Sequence, residues 1–306
     1  EVPGMGERIA QVFLQVKRDG LLERELEIME REGIGFLTIL DEGYPSLLKE
    51  IKDPPPVIYV KGELSDSFNL AIVGTRKPSP YGRKVVREFA KEIALRGVCV
   101  VIGLVRGIDS EAHRGALEAE GLTYAVLGSG LLKVYPPELK GLAREIVENG
   151  ALISEYPLGT RPTRYTFPQR NRIISGISEG VFVIEAGEKS GALITASFAL
   201  NEGREVFAVP GNIYNKSSEG CNWLIKLGAK LVTKADDILE ALNLELLFER
   251  KKEIKAESKE EEILLKYLSK EPIHIDELIE KSNLAPAKVL STLSLMEIKE
   301  KVKNLG

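Results

Sequence analysis

The stretch Asn69-Leu70-Ala71-Ile72-Val73-Gly74-Thr75-Arg76 decides the fold. A short, uncharged apolar run ends on a glycine, as expected of a strand covered on both faces. The same unit recurs along the chain. Further apolar runs fall at 98–102, 124–127, 152–154, 181–184, 206–209 and 230–232. Between them the apolar spacing becomes helical, as in Val85, Val86, Phe89 and Ile93, and later Ile173, Ile174 and Ile177. Buried strands alternating with helices predict an α/β domain at 61–245: Rossmann-like, doubly wound, with a mostly parallel sheet.

The flanks read differently. Residues 7–32 show helical spacing at Ile9, Val12, Phe13 and Val16, then Leu22, Leu26 and Met29, and Gly33 and Gly35 end the pattern. Tyr44-Pro45 opens a short helix through Ile51, Asp53-Pro54-Pro55-Pro56 closes it, and 57–60 is a short strand. Residues 1–60 are therefore expected to form a small helical module. A charged linker is expected at 246–260, followed by a winged-helix-like domain at 261–306. That domain has helices at 261–268, 275–281 and 286–295, with a tight turn at Asn283-Leu284-Ala285. Gly306 falls where a wing's second strand is expected, so the wing is read as truncated. Residues 246–306 together carry no net charge, which favours protein docking over DNA.

Composition narrows the function classes. Of 306 residues 43% are hydrophobic, yet the longest apolar run, 97–105, is far short of a membrane span. No basic region followed by an apolar stretch marks the N-terminus, so a cytoplasmic protein is expected. Two cysteines and two histidines leave little from which to build a Cys/His metal site. Net charge is −4, but it is unevenly spread: 1–60 carries −5, and 61–245 carries +1 with 12 of the 17 arginines. Clustered arginine on a near-neutral domain can still hold phosphate.

In doubly wound sheets the chemistry lies beyond the carboxyl ends of the strands. There the sequence reads Gly74-Thr75-Arg76, then Gly103-Leu104-Val105-Arg106-Gly107-Ile108-Asp109, then Gly128-Ser129-Gly130. Next come Phe167-Pro168-Gln169-Arg170-Asn171-Arg172 and Glu185-Ala186-Gly187-Glu188-Lys189-Ser190-Gly191-Ala192. Arg161, Arg164, Arg170 and Arg172 fall within twelve residues, and no acid occurs between Tyr156 and Glu179. Arginine forks grip phosphate oxygens and an aromatic face stacks a base, the minimal equipment for single-stranded nucleic acid. A solvated, ion-paired loop is the plainer alternative. Gly128-Ser129-Gly130 lacks a dinucleotide fingerprint, with Lys133 at the third glycine's position, and no Walker sequence is present. Asp109 and His113 stand four apart on an expected helix, where the aspartate is better read as a dipole partner than as an acid–base group. No Ser/His/Asp set or carboxylate pair emerges, so catalysis is not the natural reading.

These stretches closely resemble the DprA/Smf family of DNA-processing proteins. The resemblance rests on 71–76, on 103–109 with Ala112-His113, and on 167–176. It extends through Glu185-Ala186 with 190–196, Val209-Pro210-Gly211 and 220–225, covering about residues 40–243 in order and spacing. The resemblance implies a non-catalytic protein without cofactor that binds and protects incoming single-stranded DNA in natural transformation. It also implies a homodimer through the Rossmann-like domain and loading of the RecA recombinase. Carried over by motif, Gly74, Thr75 and Arg76 hold a phosphate beside the backbone of Gly103, Arg106 and Gly107. Phe167 faces a base, Arg170, Asn171 and Arg172 hold the strand, and Lys189, Ser190 and Gly191 close the pocket. Ile102, Val105, Leu132 and Leu139 depart from the family pattern, replacing Ser, Ala, Asp and Asn.

The rival class is a nucleotide phosphoribohydrolase of the lysine-decarboxylase-like group, similar in fold, whose Pro-Gly-Gly-x-Gly-Thr-x-x-Glu carries the catalytic Glu. Here no Glu follows Thr195 at that spacing.

Overall fold

The structure, a computed structural model, describes residues 20–244, 258–268, 273–298 and 301–302. The chain divides into two units, 1–247 and 248–306.

The first unit is organised by one nine-stranded sheet. Its centre is β3 (Asn69–Val73), with Leu70 and Ile72 on one face and Ala71 and Val73 on the other, all four buried. In chain order the further strands are β1 (Ile34–Thr38), β2 (Val57–Gly62), β4 (Cys99–Gly103), β5 (Thr123–Val126) and β6 (Gly150–Ser154). They are followed by β7 (Gly180–Val183), β8 (Glu205–Ala208) and β9 (Lys230–Leu231). The spatial order is β1-β2-β6-β5-β4-β3-β7-β8-β9, and the seven strands from β6 to β9 run parallel. The chain winds outward from β3 through β4, β5 and β6, then returns to β7 on the other side of β3. That reversal opens a crevice between the loops after β3 and β7.

Helices cover both faces. Numbered along the chain they are α1 (Leu21–Glu32), α2 (Ser46–Lys49), α3 (Pro80–Leu95), α4 (Ile108–Glu118), α5 (Lys140–Glu148) and α6 (Thr166–Gly176). α7 (Gly191–Asn201), α8 (Glu219–Lys226) and α9 (Ala235–Ala241) complete the unit. Helix α3 shows why such segments form: Ser79 caps it by accepting from the Gly82 N–H (3.0 Å), Pro80 takes the first helical position, and Val86, Ala90 and Ile93 form its buried stripe. No described helix is long and apolar enough to cross a membrane.

The leading segment departs from its helical reading. Its later helical part is present as α1, and residues 1–19 lie outside the described ones. After Gly33, in the left-handed conformation at φ 63°, the chain enters β1, which pairs antiparallel with β2; β2 in turn pairs antiparallel with β6. Gly35, read from sequence as a terminator, lies inside β1. Pairing with a strand some twenty residues away overrides a weak local signal, and an edge strand tolerates a glycine. β2 runs through position 60 into Gly62, so the segment shares the sheet of the larger domain.

The expected charged linker falls largely at 245–257, outside the described residues. In the second unit α10 (Lys259–Leu265), α11 (Ile275–Ser282) and α12 (Pro286–Ile298) pack around Leu264, Leu278, Val289 and Met296. Asn283 adopts φ 54° and ends α11, the position read as a tight turn. Among the described residues this unit contains no strand; 299–300 and 303–306, where a wing would continue, lie outside them.

Candidate functional site

At the switch point lies a cleft of about 840 Å³. Three segments build it: the loop after β3, the first turns of α6, and the turn into α7. They bring together nine of the thirteen residues expected from sequence, namely Gly74, Thr75, Arg76, Phe167, Arg170, Asn171, Lys189, Ser190 and Gly191.

The loops are locked by backbone contacts before any side chain acts. Thr75 donates its N–H to the Glu185 carbonyl (2.7 Å) and accepts from the Ile108 N–H (3.1 Å). Gly107 sits at φ 93°, and a Cβ there would lie 2.4 Å from the Thr75 carbonyl oxygen. A Cβ on Gly74 would meet Ile108 at 2.6 Å, and one on Gly103 would meet the Arg170 guanidinium at 2.4 Å. Sequence reading assigned these glycines to phosphate. Their close packing is explained by loop on loop and by Arg170 beneath. Gly128 likewise seats Phe167, whose Cδ1 lies 3.1 Å from a Cβ built there.

The four arginines of interest have different fates. Arg170 is only 4% exposed: Nη1 donates to the Val126 carbonyl at the end of β5, and Nε donates to Asn171 Oδ1 (3.1 Å). Burial lowers its pKa to about 10, with Asp109 opposing the shift. Arg76 is exposed, lies 5.4 Å from the centre of the Phe167 ring, and forms no ion pair among the described residues. Arg172 does not reach the cleft: its fork pairs with both Glu155 oxygens (2.9 and 2.6 Å), and Nε pairs with Asp53 (3.3 Å). Arg106 also lies outside, paired with Glu138. Gly103 and Gly107 support the cleft without lining it.

Phe167 is half-buried between two groups, with Arg76 near its face and Tyr135 tilted 56° at a centroid distance of 6.2 Å. Tyr135 is 50% exposed and lines the cleft, as do Lys77, Arg164 and Asp109. Sequence reading singled out none of these four as binding residues, although Arg164 stood in the arginine cluster. Helix α7 also begins at the cleft. Ser190 caps it through the Ala192 N–H (3.3 Å), Gly191 is exposed with open space around it, and Lys189 adds a cation. A helix N-terminus next to Lys189, in a cleft that Arg76 also lines, is an anion seat.

Two acids are buried at the cleft, Glu185 and Asp109. Glu185, 3% exposed, accepts from the Ser79 N–H (2.9 Å) and hydroxyl (2.6 Å) at the start of α3, so its charge stabilises a helix start beneath the cleft. Asp109, in the first turn of α4, has its pKa pushed up to about 7 by burial, against the pull of Arg170 and Arg76. His113 is not its partner: its ring nitrogens face Thr123 Oγ1 (2.7 Å) and the Gly103 carbonyl (3.1 Å), and burial drives its pKa down to about 4. Of the family departures, Ile102 and Leu139 are core residues, Leu132 is at the surface, and Val105 alone lines the cleft.

The model of the family described as DNA recombination-mediator protein A matches residues 35–243. The chain belongs to the DprA/Smf family. A second family model, the DprA winged helix domain, matches 249–306. The Smf protein of Escherichia coli is 47% identical over 246 residues, covering 79% of this chain but 66% of its own length. The DprA of Bacillus subtilis is 45% identical over 224 residues, 72% of this chain and 75% of its own. Among solved DprA structures, that from Streptococcus pneumoniae superposes with a TM-score of 0.65 at 41% identity, over 70% of this chain and 77% of that one. The Helicobacter pylori DprA, described for its single-stranded DNA binding mode, gives 0.62 at 28% identity, over 69% of this chain and 95% of that one.

Proposed function

We propose that the chain binds single-stranded DNA in the switch-point cleft and acts on it without catalysis. The observation that carries this is Arg76, exposed and without an acidic partner among the described residues, set against the half-buried Phe167 in a cleft that Lys189 and the α7 N-terminus also line. Cations and oriented N–H groups take phosphate, and the aromatics Phe167 and Tyr135 offer a base platform. Glu185 is consumed at the start of α3, and the phosphoribohydrolase's Glu has no counterpart after Thr195.

Family membership and the single-strand mode described for the H. pylori relative support the same reading. On it, the protein works in the cytoplasm, shields incoming single strands and passes them to RecA. It does so as a homodimer through the first unit, where Leu200, Trp223 and Leu227 present exposed apolar surface. The deciding experiment is fluorescence anisotropy of labelled oligo-dT across a salt series, with wild type and Arg76→Glu. Tight, salt-sensitive binding that the substitution reduces at least tenfold supports the cleft. Equal affinities overturn it.

A further inference from the structure

An acid lining an anion-binding cleft is out of place unless it has its own task. Asp109 is 7% exposed, lines the cleft, and forms no hydrogen bond or ion pair with another side chain among the described residues. The only sealed, partnerless side-chain polar atom among those residues is Arg204 Nε. The Asp109 oxygens that lack a protein donor therefore open onto the cleft. Its facing charges are Arg76, from the loop after β3, and Arg170, from α6, the two arginines nearest the Phe167 ring. Neither closes on it as an ion pair among the described residues, and the hydrogen bond it accepts comes from its own backbone N–H, so part of its acceptor capacity is left for a ligand.

We infer that Asp109 reads the base stacked at Phe167, accepting hydrogen bonds from the amino edge of cytosine, adenine or guanine and discriminating against thymine. This rests on the single-strand reading of the cleft. Above its folded value of about 7 the Asp109 carboxylate is ionised and acceptor-only, so the base is read at about pH 8. Cytosine and adenine offer an exocyclic amine, and guanine offers two adjacent N–H groups. Thymine offers one N–H flanked by two carbonyl oxygens, which face the carboxylate with like polarity. The repulsion Asp109 exerts on phosphate is confined by Arg76 and Arg170, which stand beside it. Lys189 and the α7 N-terminus, which line the same cleft, are then the seat for phosphate alongside Arg76, and the base at Phe167 is left to Asp109.

The test is anisotropy with labelled oligo-dC and oligo-dT on the full chain, comparing wild type, Asp109→Asn, Asp109→Leu and Arg76→Glu. Wild type is expected to prefer oligo-dC by about tenfold, within the discrimination a good base-edge contact provides. Asp109→Asn, whose amide also donates to thymine oxygens, brings the ratio to within about twofold while total affinity holds or rises. Asp109→Leu removes the acceptor altogether and has the same effect, so misfolding of one variant leaves the other to decide. A wild type indifferent to the base, or a ratio unchanged in both variants, overturns the role of Asp109 while leaving the cleft standing. Full binding of both oligonucleotides by Arg76→Glu overturns the cleft itself.

Discussion

The Arg170 guanidinium donates to the Val126 carbonyl, tying the second turn of α6 to the carboxyl end of β5. The central arginine of the sequence motif is thus held from below, with Gly103 pressed against its fork. It shapes the cleft floor and adds a positive field, while Arg76 offers the accessible fork.

Arg170→Ala is therefore expected to destabilise the fold as well as the site. It strands the Val126 carbonyl and leaves Asp109 without its nearest compensating charge. Removing one partner of a buried polar pair costs about 3 kcal/mol. Urea unfolding measures this, and an unchanged midpoint would contradict the buried anchoring.

Gly103→Ala tests the same packing without touching charge. The new methyl must displace the guanidinium or shift β4, an overpacking cost of about 1–3 kcal/mol. Oligonucleotide affinity should fall with stability, because the floor of the cleft moves. A variant as stable and as tight-binding as wild type would show that the contact is slack.

Arg172→Ala separates structural from binding arginines. Loss of its fork on Glu155 is expected to lower stability by about 1.5–3 kcal/mol, the range for hydrogen bonds to charged groups. Oligo-dT affinity should stay within about twofold of wild type. A large affinity loss in a folded protein would return Arg172 to the DNA path.

Phe167→Ala should weaken single-strand binding by about 1–3 kcal/mol if a base stacks on the ring. Its salt slope should match wild type, because no phosphate contact is lost. A change in slope would mean that Phe167 acts by positioning Arg76.

The pH dependence of stability follows from Asp109 and His113. Between its ordinary 3.8 and its folded value of about 7, Asp109 holds a proton in the folded state that the unfolded chain has released. Its contribution to stability is present at low pH and is lost as pH rises through that window. His113 acts oppositely: it stays neutral when folded down to about 4, while the unfolded side chain charges below 6.5, so its effect destabilises the protein as pH falls. In wild type the two slopes oppose. In Asp109→Asn only the histidine slope remains, so the stability difference from wild type should grow from about pH 4 to 7 and then level. A difference flat with pH would show that Asp109 is ionised throughout the folded state.

Much of this was legible in the chain. Apolar runs such as 70–73 and 99–102 announce buried strands, because a strand covered on both faces needs no polar alternation. The loops after β3 and β7 carry Gly74-Thr75-Arg76 and Lys189-Ser190-Gly191, and the topology fixes which end of the sheet they occupy. The strand at 34–38 was not legible, since its signal is a pairing across an intervening helix and proline turn.

The sequence by itself determined the strand and helix order from β3 onward, the family, and the set of loops from which a site is drawn, because periodicity and motif spacing are local properties. Only the tertiary structure decided the role of each charge. An arginine's availability depends on whether an acid distant in sequence folds against it, as Glu155 does for Arg172 and Glu138 for Arg106. The exposure of Arg76, which has no ion pair among the described residues, the burial of Arg170 and the acid at position 109 facing the cleft are consequences of three-dimensional packing, since ion pairing and desolvation act across space.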